Sequence, residues 1–428
     1  MSQLHVRGGY PLRGTIRIPG AKNAALPLMA ASLLTTKPVR LTNIPKVTDV
    51  NAMAVILQSH GVAVEWRPDD SLVLDARNAQ GIPSISSTYA PIRSSIFTLG
   101  PAMGRFGEAM IQVPGGCQIS QGGRPIDLHF YAMRKLGAIV DEESGLVKTN
   151  GNRLRGARIT FDKVSVGATI NALMAACLVQ GKTILENAAM EAEIDDLVCM
   201  LRKMGAQIDK NRDTKTWFIT GVSSLHGADH GVVPDRIVAG TYAVAAVMTG
   251  GELTLTLGPC PVPALMGCVL TCLRAAGAEV MELAEGIRVR GGRRPRSVSI
   301  TTSPYPGFPT DMQPQWMALM CMAQGSCEVK ETIFDHRFQH VKELRKLGAN
   351  LECTGKNVVR VQGVDLSLMQ PSLVQATDLR AAAALLLVGL AIPGETVIQD
   401  IHHLERGYED VVRVLSACGA RLEKKTAP

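Results

Sequence analysis

Leu344-Arg345-Lys346-Leu347-Gly348-Ala349-Asn350-Leu351 is an apolar and basic stretch, then glycine, then a short strand-like run. It reads as the last turn of a helix closed by a glycine in the left-handed region, where a side chain would be strained. The pattern recurs as Leu57-Gln58-Ser59-His60-Gly61, Met133-Arg134-Lys135-Leu136-Gly137 and Leu201-Arg202-Lys203-Met204-Gly205. It returns as Leu273-Arg274-Ala275-Ala276-Gly277 and Leu415-Ser416-Ala417-Cys418-Gly419. Successive glycines lie 76, 68, 72, 71 and 71 residues apart. A period of this kind is a structural repeat, so six related units are expected. Basic residues in three of these last turns complement the helix dipole.

Working outward, each helix is preceded by a strand, five of them led by glycine and a polar residue, as in Gly181-Lys182-Thr183-Ile184-Leu185 and Gly394-Glu395-Thr396-Val397-Ile398. Before each strand lies a second helix apolar on nearly every side, exemplified by 23–34, 168–179 and 378–389. Such a helix must be buried. The expected unit is strand, buried helix, strand, amphipathic helix and strands, with three units to a domain. Solvent-facing sheets and amphipathic helices would surround the buried ones. A link at 231–234 sets the expected domains at 22–234, and at 1–21 with 235–428.

A chain of 428 residues is too long for one ordinary core. Aromatics are only 4% of it, so the core is aliphatic, helped by 18 Met. The net charge of +7 is modest, and the basic run Gly291-Gly292-Arg293-Arg294-Pro295-Arg296 lacks aromatic neighbours. It reads as a solvated loop and not a nucleic-acid surface. Ten Cys show no metal-ligand spacing, and Cys268 and Cys272 share a helix face without a His partner. Most lie in apolar runs, as expected in a reducing compartment. The N-terminus lacks the charged and apolar regions of a signal peptide, and the apolar run 381–392 is too short to cross a bilayer. A cytoplasmic protein without membrane insertion is expected.

The buried helices begin with polar residues: Lys22-Asn23, Arg93-Ser94-Ser95, Lys163 to Thr169, Thr310-Asp311 and Thr377-Asp378-Leu379-Arg380, with Asp235-Arg236 a weaker instance. Ser, Thr, Asn and Asp cap helices everywhere, and capping alone can explain Asp311 and Asp378. It does not explain Lys22 or Arg93. Equivalent positions of a repeat converge on one cleft, and clustered helix N-termini favour phosphate. The second unit departs from the repeat at Pro114-Gly115-Gly116-Cys117-Gln118-Ile119-Ser120-Gln121-Gly122-Gly123-Arg124-Pro125-Ile126-Asp127-Leu128-His129. Four glycines and a thiol near Arg and His read as a lid with a reactive cysteine.

Gly20-Ala21-Lys22-Asn23, Pro114-Gly115-Gly116-Cys117, Arg124 to His129, Asp162 to Thr169, Pro309 to Gln313, Ala376 to Arg380 and Arg406-Gly407-Tyr408-Glu409 occur in this order along essentially the whole chain. Together they resemble the UDP-N-acetylglucosamine 1-carboxyvinyltransferase (MurA) family of enolpyruvyl transferases. The resemblance implies an α/β fold of two inside-out α/β barrel domains, each with three βαβαββ-type units. It implies transfer of the enolpyruvyl group of phosphoenolpyruvate to a uridine nucleotide, with phosphate released and no cofactor or metal. The small-molecule substrates would be its only partners, and the chain a monomer.

By the same resemblance, Lys22, Arg93, Arg124, Arg337, Arg380 and Arg406 bind phosphoenolpyruvate. Cys117 donates the proton to C3, Asp311 is the base for the attacking hydroxyl and Asp378 assists at C3, with Lys22 and Arg406 completing the catalytic set. Asn23 orients the sugar. The acceptor is also held by Arg93, Arg124, Pro125, Ile126, Asp127, Leu128 and His129. The turn Lys163, Val164, Ser165, Val166 and Gly167, together with Asp311, Ile333 and Phe334, completes that set. Fosfomycin, an epoxide that alkylates the family's thiol, is expected to inactivate the protein.

Three positions depart from the family. Six residues separate Cys117 from Arg124 where the family has four, Phe97 stands for a tryptophan, and Val238 for an acidic residue. These changes fall on the acceptor side, so a second reading keeps the chemistry with the ribose 3′-hydroxyl of UMP as acceptor. A third is a non-catalytic UDP-sugar sensor.

Overall fold

The computed structural model describes residues 2–84, 93–111, 126–149, 151, 153–258, 262–292 and 294–426. They fall into two compact units, residues 20–233 and residues 1–19 with 234–428.

In the 20–233 unit, the inner helices Lys22–Ala31, Leu99–Phe106 and Val166–Ala176 are buried along most of their length. The helices Thr48–Ser59, Asp127–Lys135 and Ala192–Lys203 are amphipathic. In Thr48–Ser59 only Asp49, Val50, Met53, Ile56 and Leu57 are buried, a stripe at helical spacing. Three sheets complete the unit. One is formed in the order Gln207–Asn211, Thr216–Thr220, Lys182–Glu186, Arg158–Thr160, with the last pair parallel and the others antiparallel. This is the βαβαββ unit complete in one chain segment.

The 20–31 module is closed differently. Its strand Val39–Thr42 pairs in parallel with Asp229–Gly231 from the far end of the unit. The leading strand of the first module is thus supplied after the third.

The other unit repeats the plan. Its inner helices Arg236–Met248, Gln313–Cys321 and Leu379–Ala391 are buried along almost their whole length, Arg380 included. Ser2–Gly8 lies between Gly394–Gln399 and Arg421–Thr426, and Arg13–Arg17 pairs in parallel with Glu252–Thr256. The N-terminal 17 residues therefore complete two sheets whose other strands lie more than 230 residues away.

The six repeat glycines, Gly61, Gly137, Gly205, Gly277, Gly348 and Gly419, have φ between +87° and +100°, the left-handed region expected of helix C-caps. Gly100 and Gly104 serve another end. A Cβ at these positions would lie 2.3 Å from the Asn171 carbonyl oxygen and 2.9 Å from that of Ala175, so their absence lets the 99–106 and 166–176 helices pack backbone to backbone. Among the described residues no helix is long and apolar enough to cross a membrane, and no cluster of three His, Cys, Asp or Glu is arranged to hold a metal ion.

Candidate active site

In the 1–19/234–428 unit, three of the expected residues meet directly. Asp311 lies in the short 3₁₀ turn Thr310–Met312 ahead of an inner helix. The Arg337 Nη2 donates to its Oδ1 at 2.6 Å, and the Arg380 Nη2 donates to its Oδ2 at 2.6 Å. Both arginines are 7% exposed. Burial alone would raise the Asp311 carboxyl, but the two guanidiniums overcome it and hold it well below the usual carboxylate range.

Glu331, 1% exposed, builds the wall behind this group. Its Oε1 accepts from the Thr302 hydroxyl at 2.9 Å and from the Ile333 and Phe334 backbone N–H at 2.8 and 3.2 Å. Its Oε2 accepts from the Thr310 hydroxyl, which in turn accepts from Arg337 Nη1 at 2.6 Å. One buried carboxylate thus fixes both the 332–334 backbone and the arginine.

Asp378 behaves as a cap. Its Oδ1 accepts from the backbone N–H of Arg380 at 2.7 Å and of Ala381 at 3.1 Å. Arg406 is half-buried directly after the short helix His402–Glu405. Val238, on the Arg236–Met248 helix, is 2% exposed among apolar neighbours, as its side chain demands. Tyr408 is buried, with its hydroxyl 2.8 Å from the Thr241 hydroxyl.

In the 20–233 unit, Lys22 opens its helix without a side-chain cap, and its Nζ makes a buried ion pair with Asp49 at 3.0 Å. Asn23 is half-buried beside it. Pro27 lacks the N–H that would otherwise bond to the Asn23 carbonyl. Ser165 caps the 166–176 helix, its Oγ accepting from the Ala168 N–H at 3.3 Å. His129 is buried, while Asp127 and Lys163 are exposed and Leu128 is 8% exposed. Ile126 and Val164 are half-buried, and Gly167 lies against the His129 ring. Val166 is 38% exposed, and Phe97 packs on the core. Cys117, Arg124 and Pro125 lie outside the described residues, as does the Arg93 side chain.

Sequence reading missed Asp49, Glu331 and Asn171. Asn171 alone carried a signal, being a polar residue in the middle of a helix apolar on every side.

Over residues 6–415 the chain matches the family described as EPSP synthase (3-phosphoshikimate 1-carboxyvinyltransferase). The chain belongs to this family of enolpyruvyl transferases. Within the enolpyruvyl transferases it is 46% identical to the UDP-N-acetylglucosamine 1-carboxyvinyltransferase of Xanthobacter autotrophicus, covering 99% of each chain. It is 44% identical to the protein of that name from Granulibacter bethesdensis, again over 99% of each. Among solved structures, the enolpyruvyl transferase NikO from Streptomyces tendae matches with a TM-score of 0.88 at 27% identity, covering 100% of this chain and 99% of that one. EPSP synthase from Acinetobacter baumannii shares the fold, with a TM-score of 0.76 at 16% identity over the full length of both.

Proposed function

We propose that the protein transfers the enolpyruvyl group of phosphoenolpyruvate to the 3-hydroxyl of UDP-N-acetylglucosamine, releasing phosphate, as a step in making peptidoglycan precursors. The observation that carries this reading is 44–46% identity, over nearly the whole chain, to relatives named for that reaction. The Arg337–Asp311–Arg380 group supports it chemically. Addition of the hydroxyl to C2 of phosphoenolpyruvate needs a base, and the carboxylate and phosphate need fixed cations.

Clamped by two arginines, Asp311 is a weak base. An arriving carboxylate or phosphate competes for the same guanidiniums, so phosphoenolpyruvate frees Asp311 as it binds. Lys22, Arg93, Arg124 and Arg406 supply the remaining positive charge, and Cys117 delivers the proton to C3 with Asp378 assisting. Asn23, His129 and the 163–167 turn hold the nucleotide. The substrates belong to the cytoplasm, and the chain acts there as a monomer.

Phosphate release from phosphoenolpyruvate, measured with UDP-N-acetylglucosamine and UMP in parallel, tests the acceptor. Turnover with the UDP-sugar is expected. Turnover with UMP alone reverses the assignment in favour of the second reading, whose support is the six-residue spacing of Cys117 and Arg124 and the Phe97 and Val238 positions. Cys117→Ala is expected to lower turnover severely, and wild-type turnover in that variant removes Cys117 as proton donor. Fosfomycin is expected to inactivate the protein through Cys117.

A further inference from the structure

Asn171 is fully buried on the inner helix Val166–Ala176. Its carboxamide touches two backbone groups whose roles admit no choice. The Gly100 N–H donates to Oδ1 at 2.7 Å, and Nδ2 donates to the Ile96 carbonyl at 2.9 Å. Turning the amide over would set N–H against N–H and oxygen against oxygen, so its orientation is fixed by the backbone.

The second Nδ2 hydrogen is left for His129, whose Nδ1 lies 2.8 Å away. A ring nitrogen that receives an N–H must present a lone pair. A neutral imidazole has one such nitrogen, and an imidazolium has none. The backbone at Gly100 and Ile96 thereby dictates, through Asn171, that His129 is neutral with its hydrogen on Nε2.

That edge of the ring borders the Ser165–Gly167 turn. A Cβ on Gly167 would lie 3.0 Å from His129 Nε2 and 2.8 Å from Cε1, so only glycine leaves the ring its place. The turn opens the 166–176 helix, whose first N–H groups are also donors. A ring presenting N–H there extends the donor surface, while the opposite tautomer would interrupt it with a lone pair.

We propose that Asn171 is a positioning residue that holds His129 as the neutral Nε2–H tautomer, making it a hydrogen-bond donor to an oxygen of the uridine nucleotide at the Ser165–Gly167 turn. The donor role rests on the function proposed above, and the tautomer does not.

The full-length protein labelled with ¹⁵N in its nine histidine rings tests both parts, with His129→Gln identifying the signal. At neutral pH, His129 is expected to show an unprotonated Nδ1 and a protonated Nε2. The reverse tautomer or an imidazolium overturns the inference. Added UDP-N-acetylglucosamine or UMP is expected to shift the Nε2 signal. Nucleotide binding seen by calorimetry without that shift overturns the donor role. Failure of either nucleotide to bind overturns the proposed function together with the donor role, while the ring signal still reports on Asn171.

Asn171→Asp keeps the acceptor for Gly100 and turns its second oxygen to His129, drawing the ring hydrogen to Nδ1. The KM for the acceptor is expected to rise about 10-fold, the worth of one hydrogen bond, with kcat and the KM for phosphoenolpyruvate within about 3-fold. A moved proton with an unchanged acceptor KM contradicts the proposal. If that variant does not fold, the wild-type ring signals decide the question.

Discussion

Thr310-Asp311 and Thr377-Asp378 stand at matching places before two inner helices, and their carboxylates do different things. Asp378 has extended backbone, φ −163° and ψ 174°, immediately outside its helix, and its Oδ1 reaches the next two free N–H groups. Asp311 lies inside a 3₁₀ turn that begins after Pro309, at a place where it makes no side-chain cap. Its oxygens turn instead to Arg337 and Arg380, 26 and 69 residues along the chain. The same residue type in the same repeat position is local scaffolding in one copy and part of a charged cluster in the other. One residue of register along the backbone, and the arrival of two distant arginines, make the difference.

Breaking the arginine side of the comparison has the largest expected effect. Arg380→Ala removes one partner of a buried pair and is expected to cost about 3–5 kcal/mol of stability by denaturant unfolding, with turnover falling in parallel. A loss below about 1 kcal/mol would mean that the pair is not buried as described.

His340 links the two tips. It is 2% exposed, with its Nε2 lacking a hydrogen-bond partner. Burial pushes its pKa down to about 4, against the pull of Asp378 and with the help of Arg337. The folded protein therefore binds fewer protons at His340 than the unfolded chain does. The resulting stability is present above the unfolded value of about 6.5 and is lost as pH falls towards about 4, on the order of a few kcal/mol in all. Thermal unfolding of His340→Phe across that window is expected to show a flatter pH dependence than wild type. Identical slopes would refute a neutral buried His340.

Glu331→Gln sharpens the account of what supports Arg337. Glutamine can still accept at one oxygen but must donate towards Thr310, whose hydroxyl already accepts from Arg337. An expected loss of about 1–3 kcal/mol, measured by urea denaturation, follows from the disturbed charge-assisted bonds.

The smallest effect separates capping from chemistry. Asp378→Ser is expected to retain stability within a few tenths of a kcal/mol, because serine caps as well, while Asp378→Ala loses about 1 kcal/mol. If Asp378 also assists proton transfer, both variants lose turnover alike. If it only caps, turnover follows stability and the serine variant stays active.

What could be read from the sequence was what is decided locally. The glycine C-caps were legible because a backbone at φ near +90° admits few other residues, and the all-apolar helices because such a surface has nowhere to go but inside. The strands Asp229–Gly231, Ser2–Gly8 and Arg13–Arg17 were not legible as members of their sheets, since each pairs with chain hundreds of residues away. Asp311 and Asp378 looked alike because the capping pattern is the same for both, and only tertiary structure brings the arginines to one of them. Asp49 and Glu331 gave no signal, because a single acidic residue in a helix turn or after a strand is ordinarily solvated. The resemblance named residues without their partners, and the partners are what set the charge state of Asp311.

The central claim is that Asp311, clamped by Arg337 and Arg380, becomes the base once phosphoenolpyruvate engages those arginines. Its most direct test is Asp311→Asn, with acceptor binding by calorimetry and phosphate release measured on the same preparation. The account predicts nucleotide affinity within several-fold of wild type and phosphate release reduced at least about 100-fold. Release at a rate near wild type would contradict it.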